Sequence, residues 1–289
     1  MELHAAAERL GRIEALDRVA QPLANAVKRL VRPGVVKDAL SGTWLGHPLH
    51  PLLTDIPIGS LTSATVLDLI GGKRARPAAD VLVALGLAAA IPTAAAGASD
   101  WSETIGDDQR TGVVHALANL FGLSLYGCSL VARRRGRRVN ATLLGLAGMS
   151  SMTVGGYLGG YLSYSRGIGV NNAFFHEHSD EWTAVLPEGQ LAQAKPMRVE
   201  TGGATVLLYR ANGDVFAIDS RCSHAGGPLE DGTINQSACT VECPWHQSVF
   251  RLDDGRVVHG PATAPQAAYD ARIREGQIEV RHRPILSRR

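Results

Sequence analysis

RCSHAGGPLEDG, residues 221–232, and CPWHQSVFRLDDGRVVHGP, residues 243–261, are the stretches on which the reading of this 289-residue chain turns. Each carries a mixed pair at or next to its start, Cys222-Ser223-His224 and Cys243-Pro244-Trp245-His246, with 18 residues between the pairs. A sulfide-bridged two-iron cluster needs four protein ligands, and two thiolates with two imidazoles are one such set. Two Cys and two His also make a tetrahedral zinc set. Structural zinc pairs usually join Cys with Cys and His with His, two or more residues apart, whereas here both pairs are mixed and the first has a one-residue gap. The spacing therefore favours iron–sulfur over zinc.

Around these stretches run short strands punctuated by turns. Thr205–Arg210 and Val215–Asp219 flank Asn212-Gly213; Ser248–Leu252 and Arg256–His259 flank Asp253-Asp254-Gly255; Tyr269–Arg274 and Gln277–Arg281 flank Glu275-Gly276. Three hairpin signals in so short a segment predict a small antiparallel β domain. Four cysteines, at 128, 222, 239 and 243, are too few for a disulfide scaffold. Cys239 lies outside both pairs and reads as a small packing residue.

The two stretches, preceded by GDVFAID, resemble a Rieske 2Fe-2S domain of the ferredoxin type over residues 181–281. By that resemblance Cys222 and Cys243 hold one iron, and His224 and His246 the exposed one. Ser248, Phe250 and Pro244 would surround the cluster. The quinol-oxidising branch of the family carries an additional, disulfide-bonded Cys in each loop; here those positions are Gly227 and Trp245. That branch also directs a Ser and a Tyr hydroxyl at the cluster. Ser248 is kept and Phe250 replaces the Tyr, which implies a lower potential, since hydrogen bonds to sulfur raise it. Gln247 stands where the family usually has Gly.

The other half of the chain has a different composition. Overall the net charge is +2, with 19% charged and 45% hydrophobic residues, and no basic surface for nucleic acid is implied. Thirty-two glycines without a regular period exclude a collagen-like chain. Lys and Arg are missing from 38–72, 77–109, 111–132 and 139–165. Apolar stretches at about 52–70, 80–98, 113–132 and 140–164 each approach the ~20 residues that cross a bilayer. The first, with Asp55, Pro57 and Asp68, is the weakest of the four. The fourth has small residues at Ser151, Gly155, Gly159 and Ser163, a spacing that permits close helix contact inside the bundle or between copies. Residues 40–165 resemble, more loosely, predicted bacterial four-helix membrane domains of unknown function.

The expected architecture is multi-domain: an amphipathic N-terminal helix at 1–37, broken at Pro22; a four-helix transmembrane bundle at 38–165; a linker at 166–180; and a small all-β Rieske domain at 181–282. Asp68 is expected to reach the membrane surface near Lys73. The loop after helix one carries Lys73, Arg74 and Arg76, and that after helix three carries Arg133, Arg134, Arg135, Arg137 and Arg138. The positive-inside rule makes both loops cytoplasmic and puts the β domain outside, in a multi-pass protein of the cell membrane.

Helix parity sets the ends carrying His47, His50, Asp55, Asp100 and His115 on the face where the β domain emerges. Ionisable groups in a span are functional candidates, and these suit a quinone or haem site as well as helix capping at the headgroups. The expected function is membrane-anchored electron transport by one 2Fe-2S cluster, with a redox partner protein or quinol. No nucleic acid is expected, and the fourth helix offers a contact for a homo-oligomer. The alternatives are a redox sensor and the electron-donor subunit of an oxygenase system. A complete oxygenase would need a further domain presenting two His and a carboxylate, whereas the 43 residues after His246 read as strands.

Overall fold

The computed structural model describes residues 2–284 and divides into two compact units. The first comprises Met1–Val31 and Leu49–Ile168; the second comprises Arg32–Pro48 and Gly169–Arg289.

In the first unit, helices α1 (Glu2–Gly11) and α2 (Asp17–Leu30) precede the long helices α4 (Leu49–Ile70), α5 (Gly72–Trp101), α6 (Gly106–Arg134) and α7 (Arg138–Gly160). A π-helical turn, Tyr161–Ser165, ends the last. The short α3 (Val35–Ser41) belongs to the second unit. The N-terminal helix breaks at residues 12–13, and Pro22 lies inside α2. Both N-terminal helices pack on their own bundle: Ala7 joins Leu158 and Tyr161, and the Arg110 guanidinium grips Asp17 through two 2.7 Å bonds.

Helices α4, α5 and α6 are long and apolar enough to cross a membrane. The first stretch qualifies despite its acids and is the least apolar of these three, while the fourth, α7, rich in Gly, Ser and Thr, does not reach the same hydropathy. The bundle is made of two hairpins, α4/α5 and α6/α7, each tightly packed internally and much less so against the other. Small residues set that closeness. A Cβ at Gly86 would meet Leu61 at 2.6 Å, and one at Gly148 would meet Tyr126 at 2.9 Å. Leu61, Ala64, Val83 and Tyr126 form the core, where the Tyr126 hydroxyl pairs with Thr65 at 2.7 Å.

Four helices also meet through charge. Arg133 of α6, 4% exposed, pairs with Asp68 of α4 and with Asp80 of α5 at 3.0 Å, while Arg138 of α7 clamps the same Asp80 at 2.5 and 2.6 Å. Asp68 therefore turns into the bundle rather than towards Lys73, because a buried carboxylate needs a counter-charge and Arg133 supplies it.

The second unit is all-β apart from α3 and short turns. Its six-stranded antiparallel sheet has the order β1-β10-β9-β4-β3-β2, formed by β1 (Thr183–Pro187), β2 (Met197–Thr201), β3 (Ala204–Ala211), β4 (Asp214–Asp219), β9 (Ala268–Arg274) and β10 (Gln277–Arg283). A smaller sheet orders β5 (Thr233–Asn235), β6 (Thr240–Glu242), β7 (Val249–Arg251) and β8 (Val257–His259) in sequence. Alternation along β3 and β4 divides the core. Leu207, Tyr209 and Ile218 face the small sheet, and Val206, Leu208 and Ala217 face the other side.

Residues 38–48, read from the sequence as the approach to the first span, group with the β unit. Asp38 accepts the Gly260 N–H at 2.7 Å and pairs with His259 Nδ1 at 2.8 Å, and the Thr43 hydroxyl donates to the Ala262 carbonyl at 3.1 Å. The stretch 169–180 is likewise fastened, through Asn172 to the Ser223 and His224 carbonyls at 2.9 and 2.8 Å and through His176 Nδ1 to Asp219 at 2.7 Å.

Candidate metal centre

Two tight loops of the β unit carry the Cys and His pairs. In the first, the Cys222 N–H donates to the Gly227 carbonyl at 2.9 Å and the Gly226 N–H to that of Cys222 at 2.8 Å. In the second, the Cys243 N–H donates to the Ser248 carbonyl at 2.8 Å and the Gln247 N–H to that of Cys243 at 3.1 Å. Each loop thus folds back within six residues, and the two loops bring Cys222 to Cys243 and His224 to His246.

Cys222 and Cys243 are free thiols, each 1% exposed, and belong to one core with Phe250, Leu252 and Leu229. They contact one another. Cys222 holds the Cys243 thiol down, to about 6, while the same contact pushes Cys222 up. Backbone N–H groups of Trp245 and His246 bond Cys243, and those of His224 and Ala225 bond Cys222. Such donors favour thiolates, the form that binds metal.

The imidazoles sit further out. His224 Nδ1 and His246 Nδ1 are 3.2 Å apart with their rings nearly perpendicular. Two imidazole nitrogens bound to one metal at about 2.1 Å, with an angle near 100° between them, stand about 3.2 Å apart. The nitrogens are spaced as partners on one ion, so the donor set fits a two-iron centre with thiolates inside and imidazoles outside.

The surroundings are specific. Ser248, fully buried, accepts the Ala262 N–H on its hydroxyl at 2.9 Å, which leaves the hydroxyl hydrogen to be donated elsewhere. Phe250, fully buried beside both cysteines, has no hydroxyl to offer. Pro244 is exposed. Gln247 has φ +61°, the left-handed conformation in which glycine is unstrained and other residues are not, which accounts for the family's Gly at this position. Cys239 is half-buried against the same core, and burial pushes its thiol up.

In the helical unit, His50 and His115 are brought together, with ring centroids 6.5 Å apart. Asp55 follows His50 by five residues, about 140° around α4, and is exposed. Asp100 lies near the end of α5. His47 belongs to the other unit, where its Nδ1 donates to the Pro48 carbonyl at 3.0 Å. Asp38, Thr43 and Asn172 carry no signal of their role in the sequence, since each acts on a loop more than 50 residues away.

Residues 181–270 match the Rieske [2Fe-2S] domain, and residues 46–172 match a predicted membrane protein domain, DUF2231. The ferredoxin subunit of 3-phenylpropionate/cinnamic acid dioxygenase from Escherichia coli K12 is 32% identical over 94 residues, covering 32% of this chain and 87% of that protein. The subunit of the same name from Photorhabdus laumondii is 36% identical over 75 residues, covering 26% and 70%. The ferredoxin of carbazole 1,9a-dioxygenase from Nocardioides aromaticivorans IC177 is similar in structure, with 28% identity, coverage of 35% of this chain and 98% of that one, and a TM-score of 0.34. Fold, site and relatives together define an iron–sulfur electron carrier. The chain belongs to the Rieske [2Fe-2S] family, with its Rieske domain following a predicted membrane domain.

Proposed function

We propose that the protein is a membrane-anchored one-electron carrier in which Cys222 and Cys243 ligate the inner iron, and His224 and His246 the outer iron, of one 2Fe-2S cluster. The observation that carries this is the 3.2 Å Nδ1 pair set outside two contacting, buried thiols. A bound cluster supplies reversible one-electron chemistry. The protein does the rest: backbone N–H groups neutralise thiolate charge, Ser248 has a hydroxyl hydrogen to offer, and the core around Phe250 keeps water from the inner side. The partly exposed imidazoles are where a partner would meet the centre.

The donor and acceptor are a redox protein or a quinol. The relatives from Escherichia coli and Photorhabdus laumondii are named as ferredoxin subunits of dioxygenases, which supports a protein acceptor and keeps an oxygenase donor role as the second reading. In the bilayer, α4 to α7 form a four-pass anchor, and His50 and His115 offer a quinol or haem site. An oligomer through α7 would use the side bearing the exposed Gly156, because Gly148 and Gly155 already pack on α6. The loops around residues 73–76 and 133–138 face the cytoplasm and the Rieske domain lies outside.

Mixing the reduced protein with a quinone analogue or an oxygenase component tests the carrier reading. Reoxidation at turnover speed supports it; a cluster that changes only a binding affinity marks a sensor. A phosphatase fused after Arg289 should be active outside the cytoplasm, and activity confined to the cytoplasm reverses the topology.

A further inference from the structure

We infer that His50 and His115 are the two axial ligands of one b-type haem held between the α4/α5 and α6/α7 hairpins. This deepens the reading of the bundle as a redox-active anchor and rests on it.

The ring nitrogens are already sorted. His50 Nδ1 lies 2.9 Å from the Thr93 carbonyl and His115 Nδ1 lies 2.7 Å from the Gly155 carbonyl. A carbonyl only accepts, so both rings carry their proton on Nδ1 and present Nε2 as a lone pair, the arrangement found behind metal-bound histidines. The Asn119 amide sits 3.4 Å from both nitrogens of His115, over the ring rather than along a lone pair, and its nearer bond is to the His115 carbonyl at 2.9 Å.

Each ring is seated on the partner helix of its own hairpin by a glycine. A Cβ at Gly97 would come within 2.7 Å of the His50 ring, and one at Gly159 within 3.0 Å of that of His115. Helix α5 thus fixes the His50 ring and α7 the His115 ring, while the seam between the hairpins is the more loosely packed part of the bundle.

The spacing selects the ligand. A nitrogen bound at about 2.0–2.1 Å puts its ring centroid about 3.2 Å from the metal, so two rings on opposite sides of one ion stand about 6.4 Å apart, against about 5.2 Å at a tetrahedral angle. The 6.5 Å between the His50 and His115 rings matches ligands on opposite sides of one ion. Among the described residues no third His, Cys, Asp or Glu joins His50 and His115 in a group that could hold a metal ion. A bare zinc needs four ligands. A haem iron brings four equatorial nitrogens of its own and asks the protein for two axial ones. Such an iron passes between ferric and ferrous by one electron, the same count as a 2Fe-2S cluster.

The test is the reduced-minus-oxidised spectrum and pyridine haemochrome of the full-length protein, produced with added iron and haem precursor and purified in detergent. One haem b per chain is expected beyond the cluster's two irons and two sulfides. It should be lost in His50→Gly and in His115→Gly with cluster sulfide unchanged, and regained by each variant on adding imidazole. Imidazole rescue distinguishes ligation from misfolding. A wild-type protein with cluster but no haem, or haem retained in both variants, overturns the inference and leaves the carrier reading standing. Haem without cluster sulfide would overturn the carrier reading alone.

Discussion

The Trp245 ring sits over Gly227, so close that a Cβ on that glycine would come within 3.1 Å of the indole and 2.8 Å of Cys243 Sγ. These are the two positions that, in the quinol-oxidising branch, the resemblance assigns to a disulfide. Here an aromatic ring, 56% exposed, covers the gap between the loops instead. Gly227→Ala should therefore push Cys243 from its place and lower iron and sulfide content severalfold, whereas Trp245→Phe, which keeps a ring there, should retain both. Iron and acid-labile sulfide assays on the two variants check this.

The cluster loops were legible because ligand spacing is local: two short pairs carry the chemistry in contiguous sequence. Their supports were not, because Asp38 acts on Gly260 and Asn172 on His224 across long separations that leave no periodic trace. Asp68 misled for the same reason. Its neighbour in sequence, Lys73, is not its partner in space, Arg133. Gln247 becomes intelligible only once its φ of +61° is known. A β-branched residue tolerates that conformation least, and Gln247→Val should destabilise the second loop where Gln247→Gly does not.

Asp38 fastens the segment before the first long helix to the loop after β8. Removing its carboxylate leaves the Gly260 N–H without its acceptor, a charge-assisted bond worth about 1.5–3 kcal/mol. Asp38→Ala should lower the unfolding free energy by that order and speed amide exchange at Gly260. Unchanged exchange there would show that the fastening is not held in solution.

Phe250 bears on the potential. The wild-type midpoint should fall in the lower half of the family's range of about −150 to +300 mV. Phe250→Tyr, adding a hydroxyl beside the cysteines, should raise it, as protein-film voltammetry would measure. A wild-type value near the top of the range contradicts the hydrogen-bond account.

His178 makes the β unit acid-sensitive. Its Nδ1 pairs with the Tyr269 hydroxyl at 2.7 Å and its ring stacks on His282. Burial, then the neighbouring His282 and His176, holds its pKa down at about 4. Unfolded, it would titrate near 6.5. Between those values the unfolded chain binds a proton that the folded one refuses, so stability falls as pH drops through about 6.5 and levels off near 4. Denaturant unfolding at pH 7.5 and 5 should show this loss, and His178→Gln should reduce it.

The most direct test of the central claim is pulsed electron paramagnetic resonance on the reduced full-length protein, with iron and sulfide counted on the same sample. Two irons and two sulfides per chain are predicted, with two imidazole nitrogens coupled to the reduced iron and the signal lost in His224→Ser and His246→Ser. Stoichiometric zinc without sulfide, or a cluster with no coupled imidazole nitrogen, would contradict it.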